Sequence, residues 1–309
     1  MQITFLVLAA NCSFVNNSLS VSLLPEYLDL PVSVSMKGGA LAAAANSAIS
    51  LRGCLVNNNW IRARGGPMHS LLLGGAVYLS SRRSLVVQTP FARNGIDNRM
   101  VAASTLAVPE ALGGALAANT ELAVVNCSFE SNIVRSAGQP LLVPVATSDQ
   151  YLLAGGGAIG TLPCELNVSR STLVNNSVEC VRDQGRAHMF HAGQFALRGG
   201  SIAVPFAWMA NFDRLHFSRS TIRVTPDAET TEPRPVDLRG GAVSISVVFQ
   251  GVRVTRCVFS DSAIIADGEQ PGALFASGGA LDVRFAYARG DFELRDSTFE
   301  RSSIRMDAA

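Results

Sequence analysis

The sequence is poor in charge and almost without lysine. Charged residues make up 16% of the 309, Lys37 is the single lysine, and 25 basic against 24 acidic side chains leave a net charge of +1. A nucleic-acid surface needs a positive excess and an acidic solvating tail needs a negative one, so both classes are excluded. No apolar run reaches the roughly 18 residues of a spanning helix, which predicts no transmembrane segment in this chain.

Motifs for familiar chemistry are also missing. The sequence has no P-loop, nucleophile elbow, HExxH or Rossmann fingerprint, and no cysteines in a CxxC pair. Hydrophobic residues at 48% can build a large core without covalent staples. We therefore expect free thiols, although an even count leaves disulfides open. The six cysteines are Cys12, Cys54, Cys127, Cys164, Cys180 and Cys257.

What the sequence does contain is a repeat. Gly-Gly, then a small and an aliphatic residue, recurs seven times at intervals of 36 to 43 residues. Such a period is typical of solenoids and other repeat folds. Period-two alternation follows each Gly-Gly, as in Val77 and Leu79 against Tyr78, and indicates strands. The Gly-Gly pairs start at Gly38, Gly74, Gly113, Gly156, Gly199, Gly240 and Gly278.

A second motif follows each Gly-Gly pair. Its clearest copy is Leu122, Val124, Cys127, Phe129, Asn132, and the Asn becomes Ser toward the C-terminus. The motif also occurs without Gly-Gly at residues 1–17, so we interpret the apolar start as a partial first coil, with a signal peptide as the alternative. The repeated aromatic and amide positions are Phe14, Phe91, Phe129, Phe217, Phe259 and Phe299, with Asn17, Asn59, Asn94, Asn132 and Asn176.

Together the motifs predict an all-β fold, a parallel β-helix of about eight coils in a single domain over residues 1–309. The 20 to 25 residues from Gly-Gly to Asn suit one coil of three short strands and two corners. The Phe positions should form an interior column beside a line of Cys, Ser and Thr. The Asn positions should form a hydrogen-bonded ladder at a corner, in left-handed backbone. The Gly-Gly pairs should lie where a side chain would block a sharp corner.

The variable segments between each Asn or Ser and the next Gly-Gly should leave as loops from one corner. These segments carry most of the prolines, including Pro226, Pro233 and Pro235. Loops on one edge of a solenoid are often its interactive face. The apolar entry at Ile3 and Phe5 and the short tail after Ser302 offer no cap. We therefore expect a segment of a longer protein that self-associates end to end when alone.

The pairing of GGA-[LIV] with Phe-x-x-Asn resembles the polymorphic outer membrane protein repeat, known best from chlamydial surface proteins. The resemblance covers nearly the whole chain, although Val56 and Leu173 replace the Phe and the last three copies replace the Asn. It implies a right-handed, pectin-lyase-like β-helix that is exposed at the cell surface and acts in adhesion. A membrane barrel normally follows the repeats in that family, and we expect none within this chain.

We therefore expect a non-catalytic, extracellular or cell-surface scaffold that presents loops to a protein or glycan, without cofactor or metal. The alternative is a divergent polysaccharide lyase or hydrolase, which would need clustered carboxylates on adjacent coils. Asp282, Asp291 and Asp296 share the last coil, but Ser244, Gly251 and Arg256 occupy the equivalent positions one coil earlier.

Two further patterns bear on function. His188 and His191, near Cys180 and Asp183, could form a metal site, but a polar loop is the simpler interpretation. Five glycosylation sequons lie near the Cys-Phe-Asn strand, where we expect many to be sterically closed. Their asparagines are Asn11, Asn16, Asn126, Asn167 and Asn175.

Overall fold

The structure is a computed structural model that describes ten stretches of the chain. These are residues 6–22, 32–65, 68–100, 110–136, 154–162, 164–181, 195–225, 236–267, 274–285 and 291–306. Within these stretches the chain is all β, with 35 strands and no helix. The central parts of the variable loops, including Pro226, Pro233 and Pro235, lie outside the described residues.

The strands follow one another at short intervals. In chain order they begin with β1 (Leu6–Ala10), β2 (Ser13–Val15), β3 (Ser18–Ser22), β4 (Val32–Lys37), β5 (Leu41–Arg52), β6 (Leu55–Asn57), β7 (Trp60–Gly65), β8 (Met68–Leu73), β9 (Val77–Val87), β10 (Pro90–Ala92), β11 (Gly95–Met100) and β12 (Glu110–Leu112). They continue with β13 (Leu116–Ala118), β14 (Glu121–Val125), β15 (Ser128–Glu130), β16 (Ile133–Ser136), β17 (Ala154–Gly155), β18 (Ile159–Thr161), β19 (Cys164–Ser169), β20 (Thr172–Val174), β21 (Ser177–Val181), β22 (Phe195–Arg198), β23 (Ile202–Val204) and β24 (Ala207–Asp213). The last are β25 (His216–Ser218), β26 (Thr221–Thr225), β27 (Val236–Arg239), β28 (Val243–Thr255), β29 (Val258–Ser260), β30 (Ala263–Ala266), β31 (Leu274–Ser277), β32 (Leu281–Phe285), β33 (Asp291–Arg295), β34 (Thr298–Glu300) and β35 (Ser303–Met306).

These strands form four parallel sheets, in which each strand pairs with its equivalent from the neighbouring repeat. Sheet A holds the strands after Gly-Gly, from β1 and β5 to β32 and β33. Sheet B runs from β2 to β34, sheet C from β3 to β35, and sheet D from β4 to β31. Eight strands of sheet A, β9-β13-β18-β23-β28-β24-β19-β14, close into a ring of pairings.

One repeat is larger than the segment from Gly-Gly to Asn. Between Gly38 and Asn59 lie only β5 and β6; β7 follows Asn59 and β8 precedes the next Gly-Gly. The prediction that this segment completes a coil is therefore wrong, although it does hold three strands in other repeats, such as β13, β14 and β15 between Gly113 and Asn132. The sheet C and sheet D strands were counted as loop because they flank the variable segments, whose composition hides them.

Two apolar cores result from this arrangement. Sheets A and B enclose the larger one, which includes fully buried Phe91, Phe129 and Leu122. Sheets C and D enclose the second, which includes Ile61, Leu72 and Val178. Because each buried Phe or Leu contributes about 1.5–3 kcal/mol, the stacked repeats share a continuous source of stability.

Each corner beside sheet B has one residue in left-handed backbone. Asn16, Asn58 and Asn175 have φ of 58°, 54° and 54° and directly precede the ladder positions. The ladder asparagines themselves are absent from the residues of positive φ. Our expectation that the ladder asparagine makes the left-handed turn is therefore wrong. The preceding residue makes the turn, which leaves the next side chain free to point inward.

The two glycines of each Gly-Gly serve different purposes. The first has φ between +52° and +72°, a conformation that favours glycine. The second glycine packs against the backbone of neighbouring strands in the narrow region between the two cores, which we call the waist. A Cβ at Gly114 would lie 2.2 Å from the Gly157 carbonyl oxygen and 2.6 Å from that of Ile133. The waist therefore excludes any side chain.

Candidate functional site

The predicted asparagines lie one above another in the structure. The side-chain Nδ2 of Asn59 donates to Oδ1 of Asn94 over 2.9 Å, and Asn94 donates to Asn132 over 3.0 Å. Asn17 begins this asparagine ladder and Asn176 ends it. The structure thus brings together all five asparagines that the repeat singles out.

Every polar atom of a central ladder side chain is used. Oδ1 of Asn132 accepts from both the backbone N–H and Nδ2 of Asn94. Its Nδ2 donates to Oδ1 of Asn176 and to the carbonyl of Phe91. Asn132 is fully buried, so these bonds replace all hydration that its amide loses. The ladder is a stabilising device, and none of its central amides faces solvent.

Beyond Asn176 the ladder position is serine. Ser220, Ser262 and Ser302 follow, and the Ser220 hydroxyl bonds to that of Ser201 over 2.6 Å. Ser201 stands where other repeats have alanine after Gly-Gly. The hydroxyls of Ser262 and Ser302 are buried with no hydrogen-bond partner among the described residues. At the ladder position, the C-terminal half therefore leaves polar side chains less satisfied than the N-terminal half.

The predicted aromatic column lies inside the larger core along sheet B. Phe91 and Phe129 stack with centroids 4.7 Å apart, and Phe217, Phe259 and Phe299 follow at spacings of 4.6 Å. Val56 and Leu173 interrupt the column in register. Phe14 is half-buried and Phe299 is 41% exposed, because each belongs to a strand at the edge of sheet B.

All six cysteines are free thiols, so the disulfide alternative does not hold in this structure. Burial raises the pKa of Cys127 and of Cys164 to about 11. Since the thiolate is the reactive form, these side chains are poor nucleophiles at neutral pH. They fill space in the core, where the backbone N–H of Cys127 donates to the hydroxyl of Ser171.

The proposed metal and carboxylate groups do not come together among the described residues. Asp183, His188 and His191 lie outside them, and Cys180 is buried in the second core. Within the ten described stretches, no three His, Cys, Asp or Glu side chains converge. Asp282 lies beside Ser244, and Asp291 beside Gly251, in neighbouring strands. Neither aspartate therefore stacks on a second carboxylate.

The sequon asparagines are more open than we expected. Asn11, Asn16, Asn126 and Asn175 are exposed, each at a corner with positive φ, and Asn167 is half-buried. The prediction that many sequons are sterically closed is therefore wrong. The left-handed corner residue points its side chain outward, which the strand pattern alone did not indicate.

A buried ion cluster was not predicted. Asp237 bonds to Arg198 over 2.8 Å and to Arg239, with all three side chains at most 5% exposed. Burial by itself raises the pKa of Asp237, but bonds from both arginines outweigh it and hold the pKa below its usual value. In the N-terminal repeats, buried Leu73 and Leu112 occupy the positions of the two arginines.

A patch of exposed aromatic side chains was also missed. Phe206 and Trp208 are 45% and 55% exposed on either side of inward-facing Ala207. The Trp208 ring lies 4.9 Å from that of Phe249 on the next strand. The register between these strands shifts after Ala207, where Phe249 and Gln250 together lie opposite Trp208, so a bulge in β28 faces Trp208. We call Phe206, Trp208 and Phe249 the aromatic patch.

The last repeat presents core-type side chains to solvent. Phe292, Leu294 and Phe299 are 46%, 45% and 41% exposed. They line an open cavity of about 460 Å³ together with Leu281 and Val283. These positions match residues that are buried in the repeats before them, so the cavity is the uncovered cross-section of the larger core.

The chain matches no protein-family model, no curated protein and no solved structure. Among the described residues, no helix has the length and apolar character needed to cross a membrane.

Proposed function

We propose that the chain is a right-handed parallel β-helix. Strands one repeat apart pair in parallel in all four sheets, as successive coils of a solenoid would. Crossovers between parallel strands of one sheet are nearly always right-handed. The ring in sheet A fits this proposal. The long strand β9 pairs with both β13 and β14, and the long strand β28 pairs with both β23 and β24, because the neighbouring repeat divides the same path into two strands.

We further propose a non-catalytic scaffold at the cell surface or outside the cell, which binds a protein or a glycan. The observation that carries this proposal is the use of the repeated side chains. The repeated asparagines form intrachain hydrogen bonds, as in the bond between Asn94 and Asn132. The repeated phenylalanines stack on one another. Recognition then falls to what varies between repeats: the loops between sheets C and D and the outer faces.

The resemblance to polymorphic outer membrane proteins supports this location and an adhesin-like role. The burial of Cys54, Cys127 and Cys257 is compatible with an oxidising environment. The exposed corner sequons, such as Asn126, are compatible with an extracellular surface.

A glycan-cleaving enzyme is the second candidate. Its general acid and base would need two carboxylates near one another on the outer surface. The cross-coil partners of several outer carboxylates are instead arginines: Glu121 meets Arg83 and Glu179 meets Arg135, each over 3.0 Å. This charge pattern favours strand pairing and favours the scaffold over the enzyme.

Binding of the labelled chain to immobilised extracellular-matrix proteins and glycans tests the proposal. We expect saturable binding to at least one surface, together with no release of reducing or unsaturated ends from polygalacturonate, xylan or β-glucan. Cleavage of any of these polymers would favour the enzyme. Failure to bind every surface would contradict the scaffold proposal.

The exposed edge strands of the sheets favour end-to-end self-association, in which the partner is a second copy of this chain. Edge strands offer unpaired backbone groups, and Phe299 presents a ring that in other repeats stacks on its neighbour. Sedimentation velocity at micromolar concentration should show association that grows with concentration. The substitution Phe299→Glu should weaken it, whereas a monomer at all concentrations would contradict it.

A further inference from the structure

The aromatic patch lies on the outer face of sheet A at a bulge. Bulges are over-represented near functional sites. Strand alternation points Trp208 outward beside Phe249, at 55% exposure, while Ala207 remains in the core. Exposing a tryptophan forfeits the burial of a large apolar surface, so its position calls for a physical reason.

The size of the patch limits what it can bind. Three aromatic side chains offer a few hundred Å² at most, since each buries about 150–250 Å². A stable protein interface needs about 800 Å² from each partner. The patch is therefore too small for a protein partner by itself, but large enough for one or two sugar rings.

The polar surroundings of the patch are mostly neutral or internally paired. Asn211 follows Trp208 on the same strand and donates to Asn167 over 2.7 Å. Gln250 is exposed beside Phe249. Most described ions on this face pair with one another, as Arg284 does with Asp282 over 3.5 Å and Arg253 does with Glu293. Glu165, which follows the Ala207 partner Cys164, is the exception. Amides and a single carboxylate can bond to hydroxyl groups, and the described residues around the patch form no unpaired cluster of one sign.

We propose that the aromatic patch binds a neutral oligosaccharide, with the apolar face of a pyranose ring against Trp208 and its hydroxyls toward Asn211 and Gln250. This inference rests on the proposed scaffold function and names the ligand of one of its surfaces. Aromatic faces carry partial negative charge, which suits the weakly positive C–H groups of a sugar face. Stacked coils would let a linear glycan continue along the axis of the β-helix.

Tryptophan fluorescence can report this binding directly, because the chain has only 2 tryptophans. In a Trp60→Phe background, Trp208 is the sole indole. We expect cellohexaose, chitohexaose or maltohexaose to shift its emission saturably. A trigalacturonate of the same ring type serves as the charged comparison and should bind more weakly than the best neutral sugar.

The matched variants are Trp208→Ala and Phe275→Ala, studied by calorimetry with the best sugar. Phe275 is also 55% exposed but lies on sheet D. We expect Trp208→Ala to lose about tenfold or more in affinity and Phe275→Ala less than twofold. Circular dichroism should be unchanged, since both side chains are exposed; Trp208→Tyr, which keeps a ring, should retain most of the affinity.

Three results would overturn the inference: no response to any neutral hexasaccharide, equal losses in the two alanine variants, or binding of phosphatidylcholine vesicles in preference to sugars. Binding of cell or matrix surfaces that is untouched by Trp208→Ala would contradict the inference while leaving the scaffold function intact. Absence of all surface binding would instead count against the scaffold.

Discussion

The N-terminal and C-terminal halves of the stack fill equivalent positions with different side chains. In the first half, an amide ladder from Asn17 to Asn176 runs beside the waist, and Leu73 and Leu112 fill the outer corner between sheets A and D. In the second half, serine replaces the amide, and Arg198, Asp237 and Arg239 fill that corner with charge.

The difference shows which parts of a repeat are fixed by sterics and which only by satisfaction of polar groups. The Gly-Gly corner recurs in both halves because the backbone leaves no alternative: a Cβ at Gly241 would lie 2.0 Å from the carbonyl oxygen of Gly279. The ladder side chain can change, because a hydroxyl as well as an amide can find a partner. Ser201 and Ser220 changed together and bond to each other.

The largest expected effect is at the waist. Gly114→Ala should cost roughly 4 kcal/mol of unfolding free energy, above the usual 1–3 kcal/mol of overpacking, because its Cβ would meet only backbone atoms. Gly279→Ala is the matched control in the last repeat, where the nearest atoms lie at 3.0 Å. It should cost less than about 1 kcal/mol. Equal costs in urea denaturation would contradict the steric account.

Next in size is the ion cluster. Asp237→Asn should cost about 3 kcal/mol, because it leaves two buried arginines uncompensated. The triple variant Arg198→Leu, Asp237→Leu and Arg239→Leu imitates the apolar corner of the N-terminal half and should be near neutral. A triple variant as unstable as the single one would mean that the charges themselves stabilise the fold.

The same cluster predicts acid sensitivity. The two arginines lower the pKa of Asp237 in the folded state, so its contribution is complete above the unfolded pKa of about 3.9. That contribution is lost as the pH falls through the folded pKa. Between pH 5 and pH 2 (roughly the window of carboxylate titration), wild type should therefore lose more stability than Asp237→Asn. Parallel pH profiles would contradict the assignment.

The ladder itself gives an intermediate effect. Asn132→Leu should cost about 2–3 kcal/mol, because it strands the amide of Asn94 and the carbonyl of Phe91. Ser262→Ala, at the equivalent position of the other half, should cost nothing or stabilise slightly, since its hydroxyl has no partner among the described residues. An unchanged denaturation midpoint for Asn132→Leu would contradict the ladder as a source of stability.

The smallest expected effect is a gain in the free energy of unfolding. Ser220→Asn combined with Ser201→Ala restores the residues of the N-terminal repeats and extends the ladder by one step. We expect a gain of about 1 kcal/mol, because the backbone N–H and Nδ2 of Asn176 acquire an amide acceptor. Each single change should destabilise, since Ser201 and Ser220 lie 2.6 Å apart. Additive single and double effects would show that the two sites are not coupled.

Much of the repeat could be predicted because its signal is local and recurs. The Phe and Asn registers require only that equivalent positions stack, and the spacing from Phe129 to Asn132 is the same in every copy. Sheets C and D escaped prediction because their strands, such as β8 and β12, vary in sequence and border the loops. The left-handed corner was assigned one residue too late, because Asn16 and Asn17 are both asparagine.

The candidate sites were harder to predict because they join distant residues through register. Arg198 and Asp237 are 39 residues apart, and neither belongs to a repeated motif. Trp208 and Phe249 meet because the register of β24 and β28 pairs the residues just before them, Ala207 and Val248. That register follows from how consecutive repeats pair, which the hydrophobic pattern of one strand does not encode. Sequence repeats therefore predict the scaffold better than the surfaces that distinguish one coil from another.

Our central proposal is that each repeat adds one coil to a stack. Leu55, Thr172 and Thr298 are exposed on sheet B, with β6 three strands from β20 and six from β34. Spin labels on cysteines at these positions, in a Cys12→Ser background, give the two distances by pulsed electron resonance. At about 4.8 Å per coil, the account predicts backbone separations of roughly 14 Å from 55 to 172 and roughly 29 Å from 55 to 298. A 55-to-298 distance no longer than the 55-to-172 distance would contradict the stack.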